Sequence, residues 1–155
     1  MAKTSSGILL YRKKQSVLEV LLVHPGGPFF ARKDEGSWTI PKGELMEDED
    51  SLEAAIREFE EETGYKPSGD FIPLNAVKQK GGKTVQCWAV EGDLDAAAII
   101  SNTFEMEWPP RSQKMKSFPE VDKASWLELP IARQKINERQ VDFIDQLTAL
   151  LHITI

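Results

Sequence analysis

GELMEDEDSLEAAIREFEEETGY, residues 43–65, is the stretch that decides the fold. From Ser51 onward its apolar residues recur at helical spacing. The positions that share one face of this helix are Leu52, Ala55, Ile56 and Phe59. Asp50 or Ser51 can cap the start of the helix, and Gly64 suits the left-handed conformation that ends it. The stretch therefore predicts an amphipathic helix preceded by a loop.

The end of this helix carries four glutamates in REFEEETG, residues 57–64. A carboxylate in the C-terminal turn faces the negative pole of the helix dipole, which costs roughly 0.3–1 kcal/mol. At about 3.6 residues per turn, Glu58, Glu61 and Glu62 share one stripe beside the apolar face, whereas Glu60 points elsewhere. Two interpretations stay open here: a stripe that binds Mg²⁺ or Mn²⁺ through oxygen ligands, or a solvated acidic helix end.

Four segments on either side of this helix are rich in β-forming residues: residues 4–12, 16–24, 70–80 and 83–92. A polar turn joins the first pair and a Gly81-Gly82 turn joins the second, so each pair predicts a hairpin. Residues 25–37 break all periodicity and predict a long loop. The helix is thus expected to pack on a sheet built from these strands.

The last third of the chain completes the pattern. Residues 104–108 are compatible with a further strand, and the Pro-rich basic segment 109–122 predicts a loop. Residues 136–151 carry apolar residues at helical spacing and predict a packed terminal helix. A mixed sheet with one central and one terminal helix predicts an α+β fold of the layered α/β/α kind. At 155 residues without linker or repeat, we expect a single domain over residues 1–155.

Charge and hydropathy limit the classes of partner. The formal net charge of −6 argues against broad nucleic-acid binding, because Lys and Arg must neutralise the phosphates. Any phosphate chemistry must therefore use local basic groups or metal cations.

No apolar run approaches the ~20 residues that span a bilayer, and the N-terminus lacks the apolar core of a signal peptide. We expect a soluble cytoplasmic protein with no membrane partner; the sequence does not indicate its oligomeric state.

Cys87 is the single cysteine of the chain. It lies in the strand-like run VQCWAV, and neither histidine, His24 or His152, is near it in sequence. We expect a small buried hydrophobe rather than a catalytic thiol.

The segment that begins at Gly43 resembles the Nudix box in full. The box is a glycine, five residues, a glutamate, seven residues, and then Arg-Glu-hydrophobic-any-Glu-Glu-any-Gly-hydrophobic. Here Gly43, Glu49 and the run from Arg57 to Tyr65 fill these places. Phe59 and Tyr65 occupy hydrophobic places that aliphatic residues fill more often, which concerns packing rather than chemistry. The resemblance implies the Nudix layered fold, with the predicted helix as its catalytic helix.

The resemblance also implies a metal site. In Nudix hydrolases the glutamates that match Glu58, Glu61 and Glu62 bind a divalent cation, Mg²⁺ or Mn²⁺. The glycine that matches Gly43 lies in the loop facing that cation. The stripe of carboxylates predicted from helix geometry agrees with this ligand set.

The family's reaction is hydrolysis of a nucleoside diphosphate linked to another group, by water attacking phosphorus. The arginine that matches Arg57 orients a box glutamate, and its one-turn spacing to Glu61 permits this contact. Glu49 would support the site from the loop. The base varies among members, and the candidates are Glu58 and Glu120, since some members use a glutamate shortly before a Trp-bearing strand.

Substrate choice lies outside the box. The run GSWTIPKG, residues 36–43, most resembles the asymmetrical diadenosine tetraphosphate hydrolase branch and implies a nucleotide substrate of that kind. Lys42 is then placed to meet phosphate. Further cations that a polyphosphate could use are Lys78, Lys80, Lys83, Arg111, Lys114 and Lys116. Taken alone, each is better explained as an ordinary exposed charge, because Lys and Arg side chains normally lie at the surface.

Other readings of the same box remain. Nudix proteins also remove pyrophosphate from RNA 5′ ends, cleave nucleoside triphosphates or diphosphoinositol polyphosphates, or serve as non-catalytic nucleotide-binding modules. Aromatic residues that could stack on a base are Phe29, Phe30 and Trp38, although Trp38 is equally suited to the core.

Overall fold

A hairpin of two long strands forms the centre of the molecule. The elements run in the order β1 (Thr4–Lys14), β2 (Val17–Pro25), β3 (Lys42–Glu44), α1 (Ser51–Thr63), β4 (Ile72–Pro73), β5 (Val77–Lys78), β6 (Thr84–Glu91), β7 (Thr103–Glu107), β8 (Met115–Pro119), β9 (Val121–Glu128), α2 (Leu129–Lys135) and α3 (Val141–Leu150). Gln15 and Ser16 join β1 to β2 with φ angles of 53° and 70°, as a tight turn matched to strand twist requires.

The structure is a computed structural model that describes residues 3–151. Residues 1–2 and 152–155 of the predicted domain, including His152, lie outside the described residues. Within residues 3–151, no helix has the length and apolarity needed to cross a bilayer.

The main sheet is mixed, as predicted. Its strand order is β4-β6-β1-β2-β9, with β3 paired to β1 and β5 paired to β6. The β1–β6 pair is parallel and the other pairs are antiparallel. The parallel pair requires a crossover, and the chain supplies it through α1 between the first and second halves of the sheet.

The two faces of the sheet are covered by different helices. Ile8 and Leu10 of β1 pack in one cluster with Phe59 of α1, whereas Leu9 between them packs in another with Phe143 of α3. This alternation follows from the two-residue period of a strand. The layered α/β/α arrangement of the predicted fold class is confirmed. Cys87 is 1% exposed and lies in the cluster that contains Leu9 and Phe143, and burial raises the pKa of its thiol.

Both ends of α1 lie where the sequence predicts them. The Asp50 carboxylate accepts hydrogen bonds from the backbone N–H groups of Leu52 and Glu53, at 3.1 and 3.3 Å. Gly64 ends the helix at φ 80°, and its N–H donates to the Glu60 carbonyl at 2.8 Å. These caps fix which residues of the helix face the sheet.

Two predictions for the last third were wrong. The segment 109–122, expected to be a loop, contains β8, which pairs with β7 in a separate two-stranded hairpin. The prolines that suggested a loop lie in its turn and at its end, where they interrupt no ladder.

The terminal helix α3 begins at Val141 rather than at residue 136, and a further helix, α2, precedes it. The short α2 carries proline in its first turn, where a helix tolerates it.

Candidate active site

Three carboxylates from two elements converge beside α1. Glu58 and Glu62 stand one turn apart on α1, and Glu120 follows β8. Each of the three offers an oxygen atom, and these atoms lie within 4.8 Å of one another. No other group of this kind occurs among residues 3–151. Convergent carboxylate oxygens are the ligands that Mg²⁺ and Mn²⁺ prefer.

The β7–β8 hairpin carries Glu120 to this cluster. The Glu120 N–H donates to the Asn102 carbonyl at 2.8 Å, and its carbonyl accepts from the Gly26 N–H at 2.9 Å. The loop after β2 therefore holds the backbone of Glu120 from one side, and the segment before β7 holds it from the other.

Gly43 makes room for the Glu58 carboxylate. A Cβ atom added at Gly43 would lie 2.0 Å from the carboxyl carbon of Glu58 and 2.1 Å from one of its oxygens. No side chain fits there without moving the carboxylate, which explains the glycine at this place in β3.

Crowding changes the acidity of the cluster. Burial, then the charges of Glu58 and Glu120, raise the pKa of Glu62 to about 8, while Lys42 acts in the opposite direction. The backbone of Lys42 also lowers the pKa of Glu62 slightly. Burial also raises the pKa of Glu58 and of Glu120. Carboxylates held in this way without a compensating charge are costly, and a bound cation removes the cost.

Arg57 ties the helix to the loop before it. Its Nε and Nη2 donate to the two carboxylate oxygens of Glu49, at 2.8 and 2.9 Å. Its Nη1 donates to Glu58 at 2.7 Å and to Glu61 at 3.3 Å. The Arg57 guanidinium and the Met46 N–H hold the pKa of Glu49 near 2, and the carboxylates raise the pKa of Arg57. The spacing-based expectation of an Arg57–Glu61 contact matches this geometry.

Glu61 borders the cluster rather than joining it. Both of its carboxylate oxygens accept from Arg57 Nη1 at 3.3 Å, and its charge contributes to the raised pKa of Glu58 and of Glu120. The third oxygen of the tight group comes from Glu120, and the role of Glu61 as a metal ligand, which the box resemblance implies, stays a prediction.

A cleft of about 300 Å³ opens beside Lys42. Its lining includes Phe30, Lys33, Lys42, Gln79 and Gln140. Sequence reasoning missed Lys33, Gln79 and Gln140, because they come from distant segments and carry no local motif.

Trp38 is 6% exposed, and its indole N–H donates to Asp34 at 2.8 Å, so it belongs to the core. Phe29 is exposed and packs edge-on against Trp108.

The other predicted cations differ in their placement. Lys80 lines a second cleft next to the first. Burial lowers the pKa of Lys42, and the nearby charge of Lys83 lowers it further. Lys78 is exposed on β5. The remaining three, Arg111, Lys114 and Lys116, are exposed on the β7–β8 hairpin and line neither cleft.

Comparison with known proteins gives a match along almost the whole chain. Residues 1–147 match the family described as NUDIX domain. The rat protein named bis(5′-nucleosyl)-tetraphosphatase [asymmetrical] is 32% identical over 114 residues, which cover 65% of this chain and 74% of that protein. The mouse protein of the same name is 33% identical over 103 residues, covering 59% and 66%.

Solved structures agree on the fold. A binary complex of the Caenorhabditis elegans Ap4A hydrolase superposes with a TM-score of 0.65 at 23% identity and covers 97% of this chain and 98% of that one. The NUDIX domain of Shewanella oneidensis NrtR with ADP ribose superposes with a TM-score of 0.66 at 18% identity, covering 97% and 89%. At these identities the likeness concerns the fold.

Proposed function

Because this chain belongs to the Nudix family and is a Nudix pyrophosphohydrolase, we propose that it cleaves a dinucleoside polyphosphate such as diadenosine tetraphosphate with the help of a divalent metal ion. The observation that carries the proposal is the convergence of Glu58, Glu62 and Glu120 next to the Lys42 cleft.

The residues present fit a divalent cation, as Nudix enzymes generally use one. Three carboxylate oxygens lie within 4.8 Å of one another, and the glycine at position 43 leaves space for one of them. The raised pKa of Glu62 has burial and two neighbouring carboxylates as its main causes. We assign Mg²⁺ or Mn²⁺ to Glu58, Glu62 and Glu120, with Glu61 beside them and the Gly43 backbone facing them. When bound, the ion supplies neutralisation of phosphoryl charge and alignment of water.

The chain's own residues divide the remaining tasks. Glu58 is held by Arg57 Nη1 at 2.7 Å, and this charged hydrogen bond favours its ionised, metal-binding form. Burial raises the pKa of both Glu58 and Glu120, but no described side chain donates a hydrogen bond to Glu120. Because each residue of the cluster offers one oxygen to the cation, the second carboxylate oxygen of Glu120 stays available to act as the base. It accepts a proton from the water whose oxygen attacks phosphorus, while the bond from phosphorus to the bridging oxygen breaks and the leaving nucleotide departs with that oxygen and the electron pair of the bond.

Lys42 supports the substrate assignment. It lines the cleft beside the cluster, so its ammonium group can neutralise a phosphate that neighbours the reacting one. The similarity to the rat and mouse tetraphosphatases favours a substrate with two nucleosides over a triphosphorylated RNA end or a nucleoside triphosphate.

A substrate panel tests this proposal. We expect the full-length protein to cleave diadenosine tetraphosphate to ATP and AMP with Mg²⁺ or Mn²⁺, and to lose this activity with chelator. The panel also holds ATP, ADP-ribose and a 5′-triphosphorylated RNA. Faster cleavage of one of these three would reject the substrate while keeping the site. Nucleotide binding without metal-dependent cleavage would reject the catalytic role itself.

A further inference from the structure

Two neighbouring clefts form one groove. The cleft beside Lys42 shares Gly36, Gln79 and Asn137 with a second cleft of about 340 Å³, which is lined further by Lys80, Glu138 and Arg139. Both volumes fall in the roughly 300–1,000 Å³ range of small-molecule sites. The groove therefore leads from the carboxylate cluster, which Lys42 adjoins, toward the segment that precedes α3.

The groove is basic although the chain is acidic. Its two parts are lined by four cationic residues, Lys33, Lys42, Lys80 and Arg139, against the single acidic residue Glu138. The whole chain has a net charge of −6. A concentration of positive charge inside a groove focuses the field there and attracts an extended anion.

The wall that carries Arg139 is fixed to residues 38–40, the segment that precedes Lys42. Gln140 is 1% exposed, and its side-chain oxygen accepts from the Ile40 N–H at 3.1 Å. The Asn137 N–H donates to the Trp38 carbonyl at 2.7 Å, and the Asn137 side chain accepts from the Arg139 N–H at 2.9 Å. These bonds set the distance between the two ends of the groove.

We propose that Arg139 is a specificity-determining residue that binds the phosphates of the substrate remote from the reacting phosphorus, with Lys80 beside it. This inference rests on the proposed function, because it assumes that the reacting phosphorus lies at the Glu58–Glu62–Glu120 cluster. A guanidinium stays charged and offers paired N–H donors that match two phosphate oxygens. A substrate long enough to span the groove gains this contact, and a shorter one does not.

The test compares Arg139→Gln with Arg139→Lys and with Arg133→Gln as a matched control. Arg139 is exposed, so its substitution leaves the fold intact. Arg133 lies on α2, pairs with Asp145 and lines neither cleft. Steady-state kinetics are measured on diadenosine polyphosphates with three to six phosphates.

For substrates with four or more phosphates, Arg139→Gln is expected to raise KM about tenfold, the effect of losing a charge-assisted contact, with kcat changed less than twofold. The triphosphate should respond less, and Arg139→Lys should restore part of the KM. Equal KM values for Arg139→Gln and Arg133→Gln at every length would overturn the inference while leaving the proposed function standing.

A binding measurement decides the inference even where turnover fails. Diadenosine tetraphosphate is titrated by calorimetry into the wild type and the two Gln variants in the presence of chelator. Weaker binding by Arg139→Gln alone supports the distal contact. Equal binding by both variants rejects it, whatever the wild-type protein hydrolyses.

Discussion

At the scale of single residues, the pKa of each box glutamate depends on the charges next to it. Glu62 is buried among carboxylates, and its pKa is raised to about 8. Glu49 lies one loop away against Arg57, and its pKa is held near 2. Two glutamates of the same box thus have opposite acidities because one faces like charges and the other faces a guanidinium. Substitution of each should have opposite effects on stability.

Glu62→Gln should lower turnover by at least a hundredfold and stabilise the metal-free protein. The amide keeps the shape of the side chain, loses the charge that crowds Glu58 and Glu120, and binds a cation poorly. Thermal unfolding with chelator above pH 8, where Glu62 is ionised, should show a rise of about 2–4 °C for each kcal/mol gained. Glu60→Gln on the exposed side of α1 is the control, and wild-type turnover in Glu62→Gln would remove Glu62 from the site.

Glu61→Gln should reduce turnover less than Glu62→Gln. Glu61 lies outside the tight group and is held by Arg57, whereas Glu62 lies within it. The comparison uses kcat at saturating Mn²⁺, where a peripheral ligand matters least. A larger loss in Glu61→Gln would give Glu61 the central place that the box pattern suggests.

Glu49→Gln should make stability less dependent on pH in the acid range. A carboxyl group whose pKa is lowered by folding stabilises the native state above its ordinary pKa of 4.5, and this contribution is lost as pH falls toward 2. The loss is on the order of 1–3 kcal/mol for a charge-assisted pair. Denaturant unfolding between pH 2 and 6 measures it, with exposed Glu47→Gln as control; parallel curves for wild type and Glu49→Gln would show that the ion pair contributes nothing.

At the scale of elements, the hairpin β7–β8 and the loop after β2 act together. A Cβ atom at Gly26 would lie 1.9 Å from the Pro119 carbonyl oxygen, and one at Gly27 would lie 3.0 Å from the Phe104 ring. The glycines allow the loop to lie directly on the hairpin. The hairpin thereby fixes the backbone of Glu120.

Gly26→Ala should therefore lower kcat by tenfold or more, although Gly26 is not itself in the cluster. The clash involves backbone, so the end of β8 must shift and take Glu120 with it. Gly92→Ala is the matched control, because its Cβ would meet only a methyl group of Leu10 at 3.0 Å. Equal kcat in both variants would show that the loop does not position Glu120.

Elements were predictable where their signals are local. Both ends of α1 carry capping residues, and its apolar face repeats at helical spacing, so the sequence predicts it fully. The strand β8 depends on its partner β7, and its prolines favour a loop when the segment is taken alone. The place of Glu120 in the cluster follows from the pairing of β7 with β8. Before the fold was known, the family resemblance indicated Glu120 only as one of two candidate bases.

At the scale of the whole molecule, the sheet organises two separate regions. One face carries α1 and the cluster, and the other carries α2, α3 and the core around Cys87. The groove joins residues from segments that are distant in sequence, such as Lys42, Gln79 and Arg139. Its lining could not be predicted because no motif links these segments before the chain folds.

The separation of core and site predicts the behaviour of Cys87→Ser. Burying a hydroxyl in an apolar cluster should cost roughly 1–3 kcal/mol of unfolding free energy, while kcat stays within twofold of wild type. Urea unfolding and turnover on one preparation measure both quantities. A folded but inactive variant would give the thiol a role that its burial argues against.

We propose above that Glu58, Glu62 and Glu120 together hold the divalent cation. Binding of Mn²⁺ to the full-length protein, followed by electron paramagnetic resonance, tests it most directly because it needs no substrate. We expect Glu62→Gln and Glu120→Gln each to weaken Mn²⁺ binding at least tenfold, while Glu60→Gln binds like the wild type. Undiminished binding in both cluster variants would contradict the account.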